Sequence, residues 1–349
     1  MSTRLAVRDL PASEFDAWDR LNAASPQGSP YSTPTYLDAL CTAAGGSFRI
    51  LVADRGGQVA GGIGLYERDT SAGRYVSPRL LLYYLSPILV SHETKYPSQR
   101  TGREVEVLGA LADALAARGY GSVTLKCRHT LGDVRPFLAR GWSAHPSYSY
   151  VMDLTDPQAA WGRVEQNLRR LVTRCTEQGV TMTEDDDFAA FNRLHELTLG
   201  RKGAAVYLPA GAFRAWFERL RPAGLCRLYH ARMPDGKVIA SQLVLTGAHP
   251  LSHTVSAAAD PEYLNLGVNA FLRWRAAESL AAAGYVGNDL TDAALNPVTH
   301  FKSQLGGDLV MCHVLEGPRS LRWRAWQAGK RGSGEAKRIV KRLLGRGAQ

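Results

Sequence analysis

The chain has 349 residues, of which 45% are hydrophobic and 21% charged. That length accommodates two domains with cores of their own, and that balance describes a soluble globular protein. The net charge is +10. Ten Lys or Arg against the single acid Glu335 place +9 of it within residues 319–349, so the basic character belongs to a C-terminal tail and not to the body. The longest apolar run, Leu80 to Leu85, is far short of a membrane span. Five cysteines with no C-x-x-C pair exclude a disulfide framework, a structural zinc site and a redox motif; no metal is expected. The first residues, Met1-Ser-Thr-Arg-Leu-Ala-Val-Arg-Asp9, carry charges where a secretory signal needs an apolar stretch, so a cytoplasmic location is expected.

In chain order, a helix is expected over Ser13 to Asn22, followed by a Ser/Pro/Gly-rich loop from Ser25 to Pro34 and a short helix carrying Tyr36, Leu37 and Leu40. A β-hairpin runs from Phe48 to Tyr66, with its turn at Gly56-Gly57. The Leu80–Leu85 run is apolar on both faces and reads as a central strand. A helix from Arg103 to Arg118, closed by Gly119, leads back to a strand at Ser122 to Leu125 and completes a β-α-β unit. Thr155-Asp-Pro157 opens a helix that Gly179 closes; Trp161, Val164, Leu168, Leu171, Val172 and Cys175 share one of its faces. Beside that face runs a stripe of Arg163, Asn167, Arg170 and Arg174, either a solvated surface or a seat for phosphate.

The chain then repeats itself. Leu225 to Leu245 is a second hairpin with its turn at Asp235-Gly236. The stretch Ala277 to Tyr285, with a strand at Asn288 to Thr291, echoes Ala112 to Tyr120 with its strand. His300 to Gly306 echoes Pro136 to Trp142. A period of about half the chain means two copies of one domain, at residues 1–150 and 151–318. The tail, 319–349, interleaves Trp323 and Trp326 with Arg322 and Arg324 and ends in a basic amphipathic helix with Lys337, Arg338, Lys341 and Arg342 on one side. That pattern suits stacking on nucleic acid or anchoring at an anionic membrane.

Four segments resemble the FemABX family: Leu168 to Val180, Leu194-His-Glu-Leu-Thr-Leu-Gly-Arg-Lys-Gly203, Asp260 to Ala270, and His300-Phe-Lys-Ser-Gln-Leu-Gly306. The resemblance covers most of the chain and is clearer in the second half. It implies an α/β fold of two tandem GNAT-like domains, each a mixed twisted sheet flanked by helices. It also implies an acyltransferase, in a family whose members include enzymes that add amino acids from aminoacyl-tRNA to peptidoglycan precursors.

The chemistry so implied needs a held acceptor amine, a route for its proton, and donors where the oxyanion grows. Lys302 is the candidate for oxyanion or phosphate stabilisation. Asp289 and Asp292, at the end of the second-copy strand, are candidates to orient or deprotonate the amine. Arg201 and Lys202, with Ser256, His253, His300, Arg170 and Arg174, are candidates for substrate binding; a surface or core role is the alternative for each. A coenzyme A-binding GNAT carries Gln/Arg-x-x-Gly-x-Gly/Ala, a loop whose N–H groups cradle pyrophosphate. Here Leu264-Asn-Leu-Gly-Val-Asn269 keeps only Gly267, and the first copy, around Gly102 to Val105, lacks the motif.

That loss, with the basic tail as counterpart to an RNA backbone, points to aminoacyl-tRNA as donor. Gly267, Asn269, Arg322, Arg324 and the tail cations are the candidate donor contacts, and no tightly bound cofactor is expected. The expected acceptor is a peptidoglycan precursor or a small amino acid or peptide. An acyl-CoA N-acyltransferase and a non-catalytic GNAT-fold module binding RNA or membrane are the alternatives.

Overall fold

The computed structural model describes residues 5–206 and 208–330. The first half runs β1 (Ala6–Asp9), α1 (Phe15–Ala24), α2 (Pro34–Ala44), β2 (Ser47–Arg55), β3 (Gln58–Thr70), β4 (Gly73–Val76), β5 (Ile88–Leu89), α3 (Pro97–Ala117), β6 (Ser122–Lys126), α4 (Arg135–Leu138) and β7 (Ser143–Asp153). The second runs α5 (Pro157–Arg163), α6 (Gln166–Glu177), β8 (Thr181–Glu184), α7 (Phe188–Arg201), α8 (Ala210–Leu220), β9 (Cys226–Arg232), β10 (Val238–Leu245), β11 (Leu251–Ala259), α9 (Val268–Ala282), β12 (Gly287–Asp289), α10 (Pro297–Ser303) and β13 (Asp308–Glu316). Apart from β5 in the first half and α5 and α6 in the second, the two halves share one element order.

The duplicated hairpins are β2–β3 and β9–β10, each antiparallel with one register shift. Gly57 and Gly236 take the left-handed conformation that their turns need. The duplicated crossovers are β4–α3–β6 and β11–α9–β12, whose strands pair in parallel. Gly119, after α3, has φ +67°, the left-handed cap expected of it.

All thirteen strands join one sheet in the order β1-β2-β3-β4-β6-β13-β7-β12-β11-β10-β9-β8, with β5 beside β3. β7 and β13 form an antiparallel ribbon at its centre, from Val151 opposite Asp308 to Ser143 opposite Glu316. β13 then pairs with β6 of the first half and β7 with β12 of the second. Each half is therefore closed by the other half's last strand, and β7 runs straight through position 150. The cores are joined too. One apolar cluster extends from Tyr36, Leu37 and Leu40 on α2 to Phe213, Trp216 and Phe217 on α8, with the Tyr36 and Trp216 rings edge to face at 5.9 Å.

Two expectations fail locally. Leu80–Leu85 is not a strand: Arg79 and Leu82 close a tight turn through mutual backbone bonds, and Leu81 has φ +69°. The run is apolar because Leu81, Leu82, Tyr84 and Leu85 are buried as side chains, with prolines at 78 and 87 flanking it. The helix expected from Pro157 to Gly179 breaks at Val164 and Glu165, both extended. The Glu165 N–H leaves the helical ladder to donate to the Gln304 carbonyl, 3.0 Å away, which fastens the end of α10.

The tail divides. Residues 321–330 are helical and dock on the first half. Trp323 is buried with its ring 5.1 Å from Tyr75, and Arg322 donates to the Ser71 carbonyl. A Cβ added to Gly121 would meet Trp323 at 2.9 Å, so only glycine admits the indole there. Trp323 is thus committed to packing and is withdrawn from the stacking role expected of it. Arg324 is exposed. Lys337, Arg338, Lys341 and Arg342 lie outside the described residues. No helix among the described residues is long and apolar enough to cross a membrane.

Candidate active site

β11 and β12 pair for three residues only, Leu251–His253 against Gly287–Asp289, and then diverge. β11 continues to Ala259, whereas the chain after Asp289 turns away through Thr291 (φ +46°) and Asp292 (φ +58°). Two consecutive non-glycine residues in this left-handed region are strained, and strain of this kind collects at functional sites. Across β11 the register with β10 jumps between Leu243 and Val244, which leaves Val255 as an extra residue and kinks β11 where the strands part. The result is a wedge at the carboxyl end of a parallel pair, where α/β proteins place ligands. The Thr291 hydroxyl pins its two sides together by donating to the Thr254 carbonyl at 2.6 Å.

Lys302, from α10, closes one wall of the wedge. Its Nζ donates to the carbonyls of Thr291 and Asp292, the latter at 2.8 Å. An ammonium has three N–H groups, so one remains for a substrate atom. Burial, reinforced by repulsion from Arg273, pushes its pKa down to about 8. The Asp292 carboxylate is exposed at the mouth, 3.8 Å from Lys126 Nζ. Lys126 also lies over the Tyr84 ring at 5.7 Å, and burial pushes the neighbouring Tyr83 phenol up to about 12.

Behind the wedge is a polar layer sealed from solvent. Asp289 is fully buried and accepts from Tyr84 Oη at 2.7 Å, from the Ser149 hydroxyl and from the Thr291 N–H at 2.8 Å, while His253 Nδ1 stands 3.5 Å off. Burial alone would raise the Asp289 pKa; the neighbouring His253, Ser149 and Tyr84 outweigh it and hold the carboxyl below its ordinary value. Burial lowers the pKa of His253 against the pull of Asp289, and its ring sits between the Tyr31 and Tyr84 rings, 5.2 and 5.8 Å away. Arg128, equally buried, donates to the Gly28 carbonyl and stands 3.4 Å from His249 Nε2. Tyr84 and Arg128 come from the first half, Ser149 from β7, and His253 and Asp289 from the second half. The layer is a joint between the halves.

The expected site residues therefore separate. Lys302 and Asp292 stand together at the wedge. Asp289 and His253 lie behind it with no solvent access, which removes Asp289 from direct contact with an acceptor amine. Ser256, on β11 past the divergence, has its Oγ 3.4 Å from His195 Nδ1 of α7. Arg201 and Lys202 are exposed at the end of α7, His300 is exposed on α10 and Arg170 is exposed on α6; no contact brings these four to Lys302 among the described residues. The residues that sequence reading passed over are Tyr84, Lys126, Arg128, Ser149, Thr291 and Arg273. Only Tyr84 carried a signal, as one of two tyrosines in an otherwise aliphatic run.

The candidate donor loop is reshaped by α6, one of the two helices without a first-half counterpart. Gly267 caps α9 with φ +93°, and a Cβ added there would meet the Leu171 side chain at 2.6 Å. Arg174 Nε and Nη2 bond the carbonyls of Asn265 and Leu266. Arg174 thus fastens the loop and is not free for substrate. Gly267→Ala is expected to lower stability by about 1–3 kcal/mol through overpacking and a disfavoured φ. Thermal unfolding checks this; because the nearest clash is with Leu171 Cβ, which alanine keeps, adding Leu171→Ala should leave most of the loss in place.

Residues 162–303 match the family model described as an acetyltransferase (GNAT) domain. No match was found among curated protein sequences. Among solved structures the chain is similar to FemX, at 13% identity and TM-score 0.72, covering 92% of this chain and 99% of that one. It is also similar to the C-terminal domain of a putative lysylphosphatidylglycerol synthetase from Agrobacterium fabrum, at 11% identity and TM-score 0.56, covering 90% and 96%. A tandem GNAT protein from the clavulanic acid biosynthesis pathway matches at 14% identity and TM-score 0.53, over 91% and 100%. At these identities the structures establish the tandem GNAT fold, and the family model adds the acyltransferase domain. The chain therefore has the tandem GNAT fold seen in FemX, and its second half carries the GNAT acyltransferase domain.

Proposed function

We propose that this chain transfers an aminoacyl group from aminoacyl-tRNA to an amine, with the amine attacking the ester carbonyl directly in the wedge between β11 and β12. The observation that carries this reading is Lys302, fastened to two backbone carbonyls with one N–H left over at the mouth of the wedge. That third N–H is the donor to the oxygen that gains charge as the tetrahedral intermediate forms. Asp292, exposed beside it, orients the acceptor and takes the proton that the amine loses on attack. The ester C–O bond then breaks, and the ribose oxygen leaves as a hydroxyl by taking up the proton that Asp292 received from the amine. No protein nucleophile is required, because the acceptor amine is itself the nucleophile.

The donor assignment rests on the reduced pyrophosphate motif and on α6, which packs Leu171 against Gly267. The FemABX resemblance supports as acceptor a peptidoglycan precursor or a small amino acid or peptide. The match of residues 162–303 to an acetyltransferase domain favours a second reading, an acyl-CoA-dependent N-acyltransferase using the same wedge.

Binding of charged tRNA, uncharged tRNA and acetyl-CoA to the full-length protein separates the two. The same titrations on a full-length variant with Lys337, Arg338, Lys341 and Arg342 changed to Gln test the tail. The expected result is binding of charged tRNA, weakened at least tenfold in the tail variant, since each lost phosphate contact removes part of the counterion-release term. Coenzyme A binding without tRNA binding would replace the first reading with the second.

A further inference from the structure

We propose that the first half carries a second binding site, for a small carboxylate on an apolar body, in a cavity of about 270 Å³ between the tip of the β2–β3 hairpin, β5 and the first turns of α3. The cavity shares no residue with the wedge, so the assignment is independent of the transfer reaction. Its floor is apolar: Val59 and Ala60 of β3, Leu89 and Val90 at β5, and Val107 of α3. A Cβ added to Gly61 would meet the Ile88 carbonyl oxygen at 2.7 Å and Val107 Cγ1 at 2.9 Å, so glycine is what lets β5 and α3 close the cavity from behind. The mouth is basic. Arg55 is engaged by Glu106. Arg100 and Arg103, spaced to share one face of α3 with Glu104 and Val107, have no hydrogen bond or ion pair among the described residues. His92 stands at the same rim.

The second copy shows the same corner filled. Gly61 pairs with Leu89 as Ala240 pairs with Ala259, and the Val90 N–H donates to the Ala60 carbonyl at 3.1 Å as the Asp260 N–H donates to the Ile239 carbonyl at 2.8 Å. The two corners are therefore equivalent. In the second, Lys237 lies over the Tyr263 ring at 4.7 Å and stands 3.8 Å from both Asp260 and Glu262, so the space is occupied and its cation has two acids. The chain there reaches α9 through the short turn Pro261–Leu266 and Gly267. In the first, Gly102 stands as far before Gly119 as Gly267 stands before Gly284, yet α3 runs helically back through it to Pro97. Gln58 takes the place of Lys237 and Val90 that of Asp260, and no aromatic ring lines the space. The first copy thus lacks the plug and adds two unpaired guanidiniums.

Arg100 and Arg103 against Glu104 leave one positive charge, Arg55 being balanced by Glu106, which matches a monoanion and not a polyphosphate. A guanidinium fork meets the two oxygens of a carboxylate. Ion pairs at an exposed mouth contribute little alone, and a short apolar chain binds weakly alone, so the site requires both parts in one molecule. The test titrates the full-length protein calorimetrically with hexanoate, hexanol and acetate. Hexanoate is expected to bind with a dissociation constant below about 1 mM, and hexanol and acetate more weakly by about fivefold or more. Arg100→Gln combined with Arg103→Gln, both at exposed positions, should leave Tm unchanged and bring hexanoate down to the affinity of hexanol. Ala60→Leu, which fills the floor, should weaken hexanoate by about fivefold or more; should it not fold, the arginine pair decides alone. A wild type that does not bind hexanoate below about 1 mM overturns the proposal. So does hexanol binding within about twofold of hexanoate, or a double variant that keeps the preference for hexanoate. Leucine separates two sources of the carboxylate, because its ammonium can pair with Glu104: tighter binding than hexanoate, lost in Glu104→Gln, assigns an amino acid, and weaker binding assigns a simple acid. None of these outcomes alters the reading of the wedge.

Discussion

Lys302→Ala is expected to cut turnover at saturating substrates by roughly 10²-fold or more, the usual loss when one oxyanion donor is removed. The fold should survive, because the variant frees two backbone carbonyls at a turn whose next residue, Asp292, is exposed. Circular dichroism and Tm serve as the controls. The donor must be cationic, and with its pKa near 8 it is charged at neutral pH and loses its proton as pH rises through 8. Its contribution to rate is therefore complete at lower pH and disappears on the alkaline side. Deprotonation of the acceptor amine works in the opposite direction, so kcat should describe a bell whose descending limb belongs to Lys302. Lys302→Arg keeps its charge across this range and should move that limb upward, even where the altered reach lowers the maximum. Turnover of Lys302→Ala within about threefold of wild type would remove the oxyanion assignment.

What the sequence made legible was local. The hairpins β2–β3 and β9–β10 announce themselves through neighbouring residues, by β-rich flanks around Gly56-Gly57 and Asp235-Gly236, and so does the cap at Gly119. The repetition of these signals gives two copies of one domain, the FemABX resemblance implies that the domain is GNAT-like, and Lys302 and Asp292, which the structure sets together, stand in short phrases near the end of the second copy. What escaped depends on partners distant in sequence. Nothing in residues 143–153 says that β7 pairs with β12 of the other half, since a strand's own pattern does not name its neighbour. Asp289 and Asp292 are alike as sequence, three positions apart, yet one is sealed and the other exposed. What distinguishes them is Tyr84, 205 positions from Asp289, supplied by a run that reads as a strand.

Asp289→Ala should have the largest effect on stability, about 3–5 kcal/mol, the range for breaking a buried charged cluster by removing one partner. Three donors lose their acceptor at once: the hydroxyls of Tyr84 and Ser149 and the N–H of Thr291. Arg128 loses the nearby negative charge that offsets its burial. Because the donors come from both halves and from the β7 strand between them, the loss falls on the joint and not on one domain, so unfolding should remain a single transition at a lower denaturant midpoint. Tyr84→Phe, which removes one charged hydrogen bond and leaves the ring in place, should cost about 1.5–3 kcal/mol. The pH dependence has a definite sign. The folded pKa of Asp289 is held below that of the unfolded chain, so its stabilisation is complete above about pH 4 and is lost as pH falls below that value. Wild type and Asp289→Ala should therefore differ by a constant amount above about pH 4 and converge in stability as pH falls below it. A difference that stays constant as pH falls below that value would show that the carboxylate's charge is not what holds the halves together. If the charge does hold them, activity of the variant should fall further than its folded fraction, because the Thr291 N–H that Asp289 accepts belongs to the strained turn on which Lys302 is mounted.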